Sequence, residues 1–81
     1  MNEKEKRARE KYNLDENTLV FAKLHYWNGS VEEIEIKAEY IDDILDAVTG
    51  QFTFIDRERN FGVRGEQISH VDILTQKQKE N

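Results

Sequence analysis

The sequence predicts an α+β domain of order ββαββ(β), a mainly antiparallel sheet with one amphipathic helix packed on one face. Three observations predict it. Residues 19–27 and 31–37 each alternate apolar and polar side chains at period two, the mark of half-buried strands. Between them stands Asn28-Gly29, the strongest short hairpin signal. Over 41–48 the period changes to 3.6, so that Ile41, Ile44, Leu45 and Val48 form one stripe of a helix.

Residues 1–17 form a charged N-terminal arm in which Ala8, Tyr12 and Leu14 are the only candidates for burial. Its Lys, Glu, Arg and Ala favour helix, but it carries no apolar stripe to dock, so a mobile or partly helical arm is expected. Residues 18–74 make the single domain. In its first strand Val20, Ala22, Leu24 and Tyr26 share one side, with Phe21, Lys23, His25 and Trp27 on the other. A two-residue Asn-Gly loop would set Leu24 opposite Glu33 and mix apolar with charged on both faces. A three-residue loop over 28–30 sets Leu24 opposite Ile34 and Ala22 opposite Ile36, and the hydrophobic pattern selects it, with a bulge at Gly29 or Ser30.

The helix begins without a Ser, Thr, Asp or Asn cap in the expected place, and Gly50 suits the left-handed residue that closes it. A third strand over 51–57 places Phe52 and Phe54 on one face, with Thr53 and Ile55 on the other. Charged residues 56–60 turn the chain into a short fourth strand over 61–65. After a second turn at 66–69 comes a fifth strand over 70–74. Residues 75–81 read as a disordered polar tail.

The chain has 81 residues, no cysteine and a net charge of −5. The part expected to pack is 19–74, and domains of roughly 60 residues bury only about 60% of their unfolded surface, so reinforcement is expected, and without cysteine no disulfide or thiolate metal site supplies it. No apolar run approaches a membrane span or a signal peptide, which predicts a cytoplasmic protein with no membrane partner. One helix cannot cover two apolar faces: Val20, Leu24, Ile34, Ile36, Phe52 and Phe54 meet its stripe, leaving Phe21, Trp27, Val31, Ile55, Phe61 and Val63. A dimer or small closed homo-oligomer is the economical solution.

Acids concentrate between 31 and 48: Glu32, Glu33, Glu35, Glu39, Asp42, Asp43 and Asp46 face a single base, Lys37. General nucleic-acid binding is therefore not expected, because such a surface repels phosphate. No catalytic residue, metal ligand set or cofactor motif is recognisable. His25 and His70 stand in no metal-binding spacing and read as ordinary strand residues. The neighbouring pairs Asp42-Asp43 and Glu32-Glu33 point apart and do not converge as acid–base pairs. Gly62-Val63-Arg64-Gly65 is too short to be a phosphate loop.

Two constellations remain. Glu39, Asp42, Asp43 and Asp46 line an acidic helix face suited to a basic protein partner, the alternative being a plain solvated face. Arg57, Arg59 and Arg64 form a local basic patch around the third-to-fourth strand turn. With Tyr26 and Trp27 stacking a base, and the set doubled across a dimer, it would suit a small anionic nucleotide. Ordinary cross-strand pairing of Arg57 and Arg59 with Asp56, Glu58 and Glu66 is the competing explanation.

In size, in composition and in the runs FAKLHYWNGSVEEIEI, YIDDILDAVTG and FGVRGEQISHVDIL, the chain resembles small acidic Lys/Glu/Asn/Ile-rich accessory proteins of Gram-positive bacteria and their phages. The resemblance implies a stoichiometric accessory protein that inhibits or sequesters a host component, and it carries no residue roles. The expectation is a non-catalytic oligomeric binding protein, an inhibitor occupying a host protein through the acidic face. A sponge for a small anionic ligand and a structural assembly protein are the alternatives.

Overall fold

Strand β1 (Thr18–Tyr26) forms the centre of a three-stranded sheet of order β2-β1-β5, with β2 (Val31–Ile36) on one side and β5 (Ile68–Lys77) on the other, all antiparallel. Its alternation explains the position. Val20, Ala22 and Leu24 are buried on one face, while Leu19, Phe21, Lys23 and His25 are half-buried on the other. The structure, a computed structural model, describes residues 2–77.

The hairpin keeps the expected face but not the expected register. Val20 stands opposite Ile36 and Ala22 opposite Ile34, two residues from the predicted pairing, and Leu24 faces Glu32. A shift of two preserves which side chains share a face. Its cause lies in the loop, which occupies 27–29 instead of 28–30. The Gly29 amide donates to the Tyr26 carbonyl (3.0 Å), and only Gly29 takes positive φ (92°), while the Tyr26 amide already meets the Ser30 carbonyl (2.9 Å). Asn28 contributes its Oδ1 instead, accepting from the Ser30 amide (2.9 Å) and hydroxyl (2.6 Å).

A 3-10 turn (Ala38–Tyr40) leads into helix α2 (Ile41–Gly50) and replaces the missing side-chain cap. Ile41 and Ile44 are buried against Val20, Ala22, Leu24 and Ile36, with Leu45 and Val48 partly buried around them, and Ala47 is buried farther along the helix. The left-handed residue that ends α2 is Gln51 (φ 59°), not Gly50. Gly50 is the last helical residue, and Phe52 lies against it: a Cβ there would stand 2.8 Å from the phenyl ring.

The single sheet with one helix is corrected in two ways. Among the described residues, strands β3 (Thr53–Asp56) and β4 (Phe61–Arg64) pair only with each other, as a separate hairpin. Phe54, Val63 and Phe61 point inward from it, so two aromatic or apolar residues counted as surplus, Phe61 and Val63, belong to the core. Phe52, expected beneath the helix stripe, stays half exposed. A further 3-10 turn (Gly65–Gln67) then delivers β5, which is longer than 70–74 and continues through Lys77. Of the expected disordered tail, 75–77 are strand and 78–81 lie outside the described residues.

The second correction is helix α1 (Glu3–Lys11) in the N-terminal arm. Asn2 caps it, Oδ1 accepting from the Glu5 amide (2.7 Å), and Ala8, Tyr12 and Leu14 pack against the core. No helix among the described residues is long and apolar enough to cross a membrane.

Candidate functional site

The acidic face is largely answered from within the chain. Helix α1 lies beside the start of α2, and its bases reach across: Lys4 Nζ meets Asp43 Oδ2 at 2.9 Å and Lys11 Nζ meets Asp42 Oδ2 at 2.6 Å. The Tyr12 hydroxyl donates to the other oxygen of Asp42. Glu39 is buried at 8% exposure beneath the helix start, with the Asn2 amide nitrogen 3.4 Å from both carboxylate oxygens. The Lys11 hydrogen bond, then that of Tyr12, holds the Asp42 carboxyl below its ordinary value. Conversely, Asp43 raises Lys4, and Asp42 raises Lys11 and Tyr12. Of the four residues assigned to partner binding, only Asp46 is exposed without an ion pair among the described residues.

The arginines divide. The outer face of the β3–β4 hairpin pairs Thr53 with Arg64 and Ile55 with Gly62, and beyond the end of β3 comes Arg57. Together with Asn60 and Phe61 these residues line an open groove of about 490 Å³. Four residues of extended chain separate Thr53 from Arg57, so the two arginines bracket a floor roughly 13 Å long. Neither forms an ion pair among the described residues. The acid of the lining is withdrawn: Asp56 is 2% exposed, its Oδ1 accepting from the amides of Glu58 (3.1 Å) and Arg59 (3.2 Å) to close the turn. Arg59 leaves the group, donating to the Glu35 carbonyl at 3.0 Å, and Glu58 pairs with Lys37. The expected cross-strand pairing of Arg57 therefore does not occur.

Tyr26 and Trp27 form a second surface. With Asn28, Glu66 and Gln67 they line another open groove, of about 410 Å³, which shares no residue with the first. The Trp27 amide donates to the Gln67 carbonyl (3.0 Å), leaving the indole 69% exposed. Burial first, and then Glu32, raises the Tyr26 phenol. Thr53, Ile55, Asn60 and Gly62 were not foreseen as groove residues. For Thr53, Ile55 and Gly62 the signal is the period-two pattern within β3 and β4, which puts them on the same face as Arg64, whereas Asn60 belongs to the turn between the strands.

No protein-family model, curated protein or solved structure matches the chain.

Proposed function

We propose that this protein is a non-catalytic binding protein that sequesters a small anionic ligand of the nucleotide class in the β3–β4 groove. The observation that carries the reading is the pair Arg57 and Arg64, without acid partners among the described residues, at the two ends of one groove in a chain of net charge −5. Guanidinium groups grip phosphate in a bidentate fork. Ile55, 61% exposed between them, offers an apolar rest for a ring or sugar. A homodimer that brings two hairpins together would enclose such a ligand between two arginine pairs. In this reading the protein acts in the cytoplasm by stoichiometric capture, in the manner of a phage-type counter-defence inhibitor.

A second reading keeps the acidic surface as a dock for a basic host protein. Asp46, Glu33 and Glu35 favour it, being exposed and without ion pairs among the described residues. One experiment separates the two. Native mass spectrometry of the gently purified protein should show a retained mass of nucleotide size, and replacing Arg57 and Arg64 by Ala should weaken its binding at least about tenfold per residue. Retention unchanged in that double variant would remove the ligand reading. An unliganded protein whose bound partner is lost with Asp46→Lys would establish the acidic dock instead.

A further inference from the structure

The open face of the three-stranded sheet carries a cluster unrelated to either groove. His25 on β1 stands directly opposite His70 on β5, and Asp72 lies two residues along β5 on the same face. The imidazole rings stack with centroids 4.0 Å apart and planes 12° from parallel. His25 Nε2 is 2.9 Å from Asp72 Oδ2. One donor atom from each of the three residues lies within 4.8 Å of the others.

We propose that His25, His70 and Asp72 bind one divalent transition-metal ion, Zn²⁺ or a neighbour in the first-row series. Two imidazole nitrogens and one carboxylate suit such borderline ions, whereas Ca²⁺ and Mg²⁺ prefer all-oxygen shells. Donors on one tetrahedral ion at 2.0–2.1 Å sit about 3.3 Å apart, so small rotations of these side chains close the set, and solvent completes the shell.

A second, independent feature prepares His70 for the role. The β1–β5 register shifts between His25 and Tyr26, leaving Ser69 as an extra residue beside the histidine pair. The Ser69 hydroxyl donates to the His25 carbonyl at 3.1 Å. Its single proton is thereby used, so at 3.0 Å from His70 Nδ1 its oxygen accepts the Nδ1 proton. That hydrogen bond fixes the tautomer with Nε2 unprotonated and open to a metal, the arrangement by which outer hydrogen bonds orient metal-binding histidines. The groups facing the cluster in neighbouring rows are Val31 opposite His25, and Lys23 opposite Asp72 with Glu33 beyond it. Lys23 makes no ion pair among the described residues, which leaves Asp72 to His25. A bound ion would clamp β5 to β1 in register, and because the unfolded chain lacks the site, it would stabilise the fold.

The test is calorimetric titration of the chelator-treated, full-length protein with Zn²⁺ near neutral pH, paired with NMR of the imidazole resonances. Expected are one equivalent of Zn²⁺ per chain, movement of both histidines' resonances, and no response to Mg²⁺. His70→Gln and Asp72→Asn should each weaken Zn²⁺ at least about tenfold while circular dichroism shows an intact fold. In the metal-free protein, ¹⁵N shifts of His70 should report an Nδ1 proton that moves to Nε2 in Ser69→Ala. Absence of saturable binding would overturn the site, as would undiminished affinity in His70→Gln, which places the ion on other carboxylates. Half an equivalent with dimerisation would also overturn it, since the ion would then lie between two chains.

Discussion

Gly65 is the residue whose identity the packing leaves least free. It sits where β4 turns toward β5 under the end of α2, its amide donating to the Phe52 carbonyl at 3.0 Å. A Cβ there would stand 1.9 Å from the Ala47 carbonyl oxygen and 2.7 Å from that of Phe52, both backbone atoms that no rotamer change can move. Gly65→Ala should therefore destabilise the fold by about 3 kcal/mol, read as a lower midpoint in urea at unchanged slope. A midpoint within error of the native protein's would contradict this packing. In the sequence Gly65 reads only as the end of the fourth strand and of a run too short for a phosphate loop, because the atom it avoids lies 18 positions earlier in the chain.

At the scale of elements, α1 is the instructive case. Its half-buried positions, Glu5, Ala8, Arg9 and Tyr12, follow the helical spacing i, i+3, i+4, i+7, yet only Ala8 and Tyr12 bring apolar surface. The other two dock by hydrogen bonding: Arg9 binds Glu5 (3.2 Å) and the carbonyls of Asp15 (2.6 Å) and Thr18 (2.9 Å), tying the helix to the start of β1. Such a seam leaves no apolar stripe in the sequence. Because Asp42 titrates below its ordinary 3.8 when folded, its contribution is present above that value and is lost as pH falls through the lowered one. Tyr12 and Lys11 titrate above their ordinary 10.0 and 10.5, so theirs is complete below those values and lost as pH rises through the raised ones. Helix α1 should accordingly stay docked between about pH 4 and 10 and loosen at both ends, with salt adding to the effect, since Lys4, Lys11 and their partners are exposed. Amide exchange of 3–11 measured across that range checks it; protection that is flat from pH 2 to 11 would mean that these contacts do not hold the helix.

For the molecule as a whole, the question is what covers the apolar surface that the chain does not. The separate β3–β4 hairpin absorbs part of the expected surplus, for its Phe61 and Val63 join the core. Trp27, Val31, Phe52 and Ile55 remain exposed. Ile55 lies on a two-stranded hairpin, and such hairpins are marginal alone, with strand edges open to pairing. A dimer closing over the hairpin is the expected state in sedimentation at tens of micromolar, and Ile55→Lys should return it to monomer. A compact monomer of the native chain at that concentration would refute the association and, with it, the doubled arginine site.

Local structure follows from the sequence alone: which residues face inward along β1 and β2, and where the period changes from strand to helix. Those properties follow from nearest neighbours and repeat lengths, which a linear pattern carries in full. Tertiary structure alone decided the partners. It laid the bases of α1 on the acids of α2 across 31 and 39 positions, freed Arg57 and Arg64 by turning Asp56 inward and Arg59 aside, and set His25 against His70 and Asp72 across the sheet. The reason is physical. Charge and hydrogen-bonding capacity are readable residue by residue, but whether a group is answered within the chain or left for a ligand depends on which distant residue the fold brings within about 3 Å of it.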